Sequence, residues 1–221
     1  MRIILKIISV CLFGVLISSS AYSQQRSIRT TIRGEAQLPR MLGNRAFTKG
    51  FSGVFNGGAS INFGGKHFST GAFYRFTQYQ VFPKVNTDAH PILSIHTAGI
   101  RFAYDKLTET GKGMWSPFIE PGFSFLKYTR VQCIHKQPRL TKTNVISLNI
   151  GSTYYIMMDE WTGVGFTLGY NMLDHVYRPE NICMDEWGLT YTPDDKKGSL
   201  RNIFFGFSVY FDLAFKAETS E

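Results

Sequence analysis

From Ile203 to Phe215 the chain alternates without a break. Ile203, Phe205, Phe207, Val209, Phe211, Leu213 and Phe215 share one face, and Phe204, Gly206, Ser208, Tyr210, Asp212 and Ala214 the other. A period of two is that of a β-strand with two unlike sides. Seven earlier segments carry similar patterning: Ser27–Leu38, Gly50–Phe63, Lys66–Phe82, Ile92–Tyr104, Trp115–Thr129, Thr143–Ile156 and Thr162–Val176. In the second segment Phe51, Gly53, Phe55, Gly57, Ala59, Ile61 and Phe63 fall on the apolar face. Two segments fit less cleanly. Leu93 and Ile95 are out of phase with the lower half of the fourth, which predicts a bulge. Pro117 and Pro121 interrupt the fifth, each removing a ladder donor. Pro39 is expected to close the first strand, and Gly64-Gly65 to form a tight hairpin turn.

Connections after the second, fourth and sixth strands are short on average, and those after the first, third, fifth and seventh are longer and carry most loop charge. Residues 1–23 read as an export signal rather than as fold. Arg2 and Lys6 precede the apolar run Ile7–Ile17, and Ala21-Tyr22-Ser23 supplies a small-residue cleavage site. The run is shorter than the roughly 18–20 residues a spanning helix needs. An exported chain of strands, one face apolar and the other small or polar, predicts an all-β, eight-stranded, antiparallel up-and-down transmembrane barrel. Its apolar side meets lipid, its termini are periplasmic and its long loops lie on the cell surface of a Gram-negative bacterium. The expected domains are the signal over 1–23, the barrel over 24–215 and a short periplasmic tail over 216–221. A soluble barrel would turn the apolar faces inward, but its opposite faces would then carry more Lys and Glu than the Gly and Ser found here.

Composition sharpens this picture. Phe 19 and Tyr 11 suit strands and interfacial girdles. Trp115, Trp161, Tyr104 and Phe215 fall at one end, and Tyr79, Phe82, Tyr128 and Tyr177 at the other. The net charge is +8, or +6 once Arg2 and Lys6 leave. With no nucleic-acid motif and an exported chain, outer-membrane lipid and lipopolysaccharide are the expected anionic partners, not nucleic acid.

With these features in place, the chain resembles the small outer-membrane β-barrel proteins, the OmpA-membrane-domain and OmpX-like group. The resemblance rests on Pro117–Phe125 (PFIEPGFSF), similar to a mid-barrel strand, and on Phe205–Phe215 (FGFSVYFDLAF), similar to the terminal strand. It implies that Tyr210, Phe211, Leu213 and Phe215 form an assembly signal read by the barrel assembly machinery, although Lys216–Glu221 follow the aromatic here. The SAYSQQ stretch resembles exported proteins of Bacteroidota-type bacteria.

Seven charges fall on inward faces: Arg29, Arg33, Glu35, Arg75, Arg101, Glu120 and Asp212. A barrel this small is filled by side chains, and isolated buried charge is costly. The expectation is a ladder of ion pairs that plugs the lumen. Cys133 and Cys183, in two long loops of an oxidising compartment, are candidates for a disulfide. Ser94 and His96 share a face, but their order does not match the His-then-Ser motif of lipid A deacylase barrels, and no carboxylate orients the base. His67, His90, His135 and His175 are scattered and show no metal-ligand spacing. The expected function is non-enzymatic and needs no cofactor: envelope structure, or surface binding through the loops, above all Tyr177–Ser199. A narrow pore, an accessory subunit of a larger envelope complex and a lipid A-modifying enzyme remain as alternatives.

Overall fold

A computed structural model describes residues 29–65, 67–82, 90–187 and 189–213. The expected signal at 1–23, Phe215 and the tail lie outside them. The elements are β1 (Arg29–Gly43), α1 (Arg45–Gly50), β2 (Phe51–Gly64), β3 (Phe68–Val81), β4 (Ile92–Tyr104), β5 (Lys106–Leu107), β6 (Gly113–Thr129), β7 (Lys142–Met157), β8 (Thr162–Leu173) and β9 (Leu200–Asp212). Sequential long strands pair antiparallel, β1 also pairs with β9, and β4 pairs with β6. The sheet is therefore a closed barrel of eight long strands. The two-residue β5 only lengthens the β4–β6 hairpin, opposite Met114 and Trp115. Closure leaves no free edge strand, which is the condition for a sheet to stand in hydrocarbon.

The faces are those of a barrel turned inside out. Phe123 and Phe207 point outward and are each 74% exposed, and Phe63, Ile100, Ile150 and Leu168 stand outward beside their own neighbours. Arg33, Glu120, Asn149, Thr153 and Thr167 point inward and are fully buried. A soluble barrel would reverse this arrangement.

Several local expectations are corrected. β1 does not stop at Pro39 but runs on to Gly43, with Pro39 opposite Phe204 of β9. Its ladder to β2 has already ended at Gln37–Asn56, so the proline sits on a stretch paired on one side, where a missing N–H is tolerated. The bulge lies in β2 rather than in β4. Register slips between Gly53 and Phe55, so Phe51 points inward at 2% exposure while Phe55 points out at 42%. β4 keeps unbroken register against β3, and Leu93 and Ile95 are simply interior. β8 ends at Leu173, short of the expected Val176. The two prolines do not break β6, which runs 17 residues, but its pairing with β4 skips Glu120 and Pro121.

Leu93 and Ile95 belong to an apolar layer inside the long-loop end of the barrel. With them lie Tyr79, Tyr128 and Tyr177, which were expected in an outer girdle and are instead buried in this layer. Period-two patterning locates a side chain on a face. It cannot separate a lipid-facing aromatic from one that fills a barrel mouth.

Glycine opens room for the interior at one telling position. Gly169 pairs with Phe204, and a Cβ on Gly169 would stand 2.2 Å from the Phe204 ring. The ring lies across the glycine, and from there meets the Arg75 guanidinium 4.9 Å from its centroid. Gly169→Val is therefore expected to expel the ring and cost about 1–3 kcal/mol of folding stability, as overpacking does. Urea unfolding in micelles, followed by the heat-modifiable mobility of the barrel on gels, measures it.

Candidate functional site

Function in a barrel of this size is decided by what fills the lumen and what closes its mouths. From the short-turn end inward, Arg29 and Asp212 form an ion pair across β1 and β9. Arg29 borders a vestibule of about 250 Å³ that also touches Asp105, Asp159, Glu160 and Tyr210. Its floor is a second charge group. Arg33 donates to Asp105 Oδ2 at 2.6 Å and to Ser116 Oγ at 2.6 Å, and Ser116 donates to Asp105 Oδ1 at 2.6 Å. The Tyr210 ring covers Arg33 at 5.5 Å.

The third group occupies the centre and is cyclic. Arg75 meets Glu35 at 2.7 Å and Glu120 at 3.1 Å, while Arg101 meets Glu35 at 2.7 Å and Glu120 at 2.8 Å. Two guanidinium groups and two carboxylates alternate, so like charges are separated and the ring is neutral. The Phe118 face stacks on Arg101 at 4.0 Å. An amide shell takes up further acceptor and donor directions, while Arg75 Nε and Arg101 Nε and Nη2 stay buried without a partner among the described residues. Gln37 donates to Glu35 at 3.0 Å and accepts from Arg75 and Asn56, each at 2.8 Å. Asn149 donates to Glu120 at 3.1 Å and accepts from Asn171, which in turn accepts from Asn202 at 2.9 Å. Beyond this shell is a void of only about 10 Å³, about one water's worth of probe space.

The sequence-predicted charges are all interior, yet they do not form one ladder. They divide into three neutral groups, with Arg29 and Asp212 set apart from the central four. Asp105, which sequence reasoning assigned to a connection, completes the middle group. Its phase was the available signal: it continues the inward positions Arg101 and Ala103 past the end of β4. Gln37, Asn149, Asn171, Asn202 and Ser116 were read only as polar lumen positions or passed over, because their role depends on which strands the register brings together.

The long-loop mouth is sealed. Asn44 caps α1, accepting from Phe47 N at 3.0 Å, and its amide donates to the carbonyls of Tyr177 and Gly198 at 3.2 Å. This directs Phe47 down into the mouth, where it stacks on Phe51 at 4.5 Å and meets Tyr79 and Tyr177 edge-on. Ile182 and Met184, from short 3-10 turns in the last long loop, complete the apolar plug. Lys49 bonds Asp195 at 2.6 Å, and Ala46 N donates to Asp195 O at 2.9 Å. The Lys49 ammonium and the Thr192 amide hold the Asp195 carboxyl down to about 2.

Cys133 and Cys183 are joined in a disulfide with Cα atoms 5.4 Å apart, inside the range such a bridge requires. Around it the two loops are fastened together. Glu186 accepts from Ile134 N at 2.6 Å, Lys136 meets Asp185 at 2.8 Å, and Trp187 Nε1 donates to Gln132 O at 3.2 Å.

No protein-family model and no curated protein matches the chain. Solved structures do. Neisserial surface protein A (NspA) superposes with a TM-score of 0.54 at 11% identity, covering 84% of this chain and 97% of that one. A major outer membrane protein from Thermus thermophilus gives 0.50 at 10% identity, covering 83% and 99%. The fold is that of the small outer-membrane β-barrels. In such a barrel the outward apolar belt is the lipid-facing surface.

Of the expected assembly-signal residues, Tyr210, Phe211 and Leu213 are described, and they sit on both faces of β9 and just beyond it. Phe211 and Leu213 point outward, whereas Tyr210 points into the barrel. Ser94 and His96 lie on the outer wall, where His96 Nδ1 is 2.6 Å from Tyr74 Oη and its ring lies against Phe76. Its hydrogen-bond partner among the described residues is thus a tyrosine, not the carboxylate that would orient a general base.

The central ring carries a sharp expectation. Arg101→Met leaves two buried carboxylates to share Arg75, and breaking a buried ionic group in this way costs about 3–5 kcal/mol. The urea midpoint of the variant in micelles should fall accordingly. Alkylation offers a test of the bridge: without reductant the folded protein should take up no label at Cys133 or Cys183, and after reduction it should take up one at each.

Proposed function

We propose that this protein is a non-conducting, non-enzymatic barrel of the outer membrane that presents its braced long loops as a binding surface. The observation that carries this reading is the continuous filling of the lumen. The vestibule ends on the Arg33–Asp105–Ser116 group, the neutral ring of Arg75, Arg101, Glu35 and Glu120 blocks the centre, and the Phe47–Tyr177–Met184 plug closes the far mouth. An ion would have to break several charge-assisted hydrogen bonds and then enter an apolar layer. Neither step is compatible with a steady conduction path.

The loops support a binding role because they are organised rather than merely solvated. The segments after β6 and β8 share a disulfide, ion pairs and backbone bonds, and α1 is tied to the second of them. A surface ordered before it meets a partner loses less conformational freedom on binding. Both loops and α1 gather at one end, opposite the short turns, which in an outer-membrane barrel is the cell-surface end. That orientation leaves both termini of the barrel in the periplasm.

Planar-bilayer recording of the refolded protein is the direct test. The expected record is a quiet baseline with no sustained conductance in molar salt. A steady open level that scales with protein insertion would refute the plugged reading.

A further inference from the structure

The eight long strands turn four charged side chains outward among the described residues: Arg40, Lys127, Lys142 and Arg201. All four are basic and exposed, and all lie near the long-loop end of their strands. None makes an ion pair with a described acid: Asp185 pairs with Lys136, Glu180 with Lys196, Asp194 with Lys197 and Asp195 with Lys49, and Asp174 after β8 pairs with no described cation. At the short-turn end only Lys106 of β5, among the described strand residues, joins them beside Trp115.

The basic residues are also paired with each other. Lys127 and Lys142 are direct cross-strand partners on β6 and β7. Arg40 and Arg201 are diagonal neighbours on β1 and β9, in adjacent outward positions of the register Arg40–Ile203 and Leu42–Arg201. Like charges placed opposite one another, with Cβ atoms about 5 Å apart, repel. The arrangement is stable only if an anion or bulk solvent compensates it.

The surroundings of the lysine pair say which. In register with it, Ser94 of β4 and Gln78 of β3 extend a polar row across four strands. One outward position below, the row is mixed, with Phe76 and Phe125 beside His96 and Asn144, and below that stand Phe123 and Ile146, both exposed. A polar row, a mixed row and then an apolar wall follow one another, so the lysines stand just above the level where hydrocarbon gives way to headgroups. A soluble acidic protein would meet only the upper half of this surface, whereas a phosphorylated lipid matches both halves. We propose that Lys127 and Lys142 bind a phosphate of a lipid headgroup in the leaflet at the long-loop end, with its acyl chains on Phe125, Phe123 and Ile146, and that Arg40 and Arg201 form a second such site. The assignment rests on the membrane reading above and adds the lipid class and the residues.

The test uses full-length processed protein inserted in phosphatidylcholine nanodiscs. Insertion itself checks the membrane reading, so a later failure to bind lipid is a failure of this proposal alone. Bisphosphorylated lipid A is titrated against dephosphorylated lipid A and retention is read by native mass spectrometry. The wild type should hold the phosphorylated form preferentially and lose it as salt rises. The K127Q/K142Q variant should bind it about thirtyfold more weakly, the expectation for removing two cations near an anionic surface, with unchanged heat-modifiable mobility. Equal retention of the two lipid A forms by the wild type would overturn the proposal without recourse to any variant. So would undiminished binding by folded K127Q/K142Q, or complete displacement of the lipid by inorganic phosphate.

Discussion

Two guanidinium groups and two carboxylates at the centre of the barrel set the terms for everything around them. Charges so deeply buried are costly unless they are paired, and Glu35, Arg75, Arg101 and Glu120 pair with one another in a closed cycle. That cycle needs four strands, β1, β3, β4 and β6, at one height and in one register. The sheet cannot slip by a residue without turning these charges into the apolar surroundings outside. The outward Phe, Ile and Leu residues are the other half of the same constraint. Each strand's inward polar set and outward apolar set are fixed together, and together they select a closed wall with a polar interior and a dry exterior.

Much of this was legible from alternation alone. The inward positions of Arg75, Arg101, Glu120 and Asp212 and the outward positions of Phe123, Phe207 and Leu168 follow from counting by twos. What escaped was whatever depends on a third dimension. Tyr79, Tyr128 and Tyr177 are aromatics at strand ends, and nothing in their spacing says whether they face lipid or fold over the mouth. The slip in β2 is equally silent, because Gly53 and Val54 fit either phase and only the pairing with Gln78 and Tyr79 fixes where the extra residue goes. Asp105 was lost for a different reason. It follows the last paired residue of β4, where a connection is the natural reading, yet its carboxylate reaches back to Arg33.

The two ends of the lumen are closed by different physics. Toward the short turns the boundary is ionic and open to water, with a vestibule that ends on Asp105 and Tyr210. Toward the long loops it is apolar, made by Phe47, Tyr177, Ile182 and Met184 from segments outside the sheet. α1 makes the second closure specific. Asn44 serves as its cap and as the anchor of the last loop, so one side chain fixes both the direction of Phe47 and the path of the chain from Tyr177 to Gly198.

The bridge between Cys133 and Cys183 encloses the whole of β7 and β8, which lie between them in sequence. Oxidation ahead of barrel closure therefore circumscribes a complete hairpin. The two strands would reach the growing wall as one covalently bounded ribbon, with fewer ways to mispair with their neighbours and less chain entropy left to surrender. A bond that in the finished molecule fastens surface loops would then have done its first service during assembly.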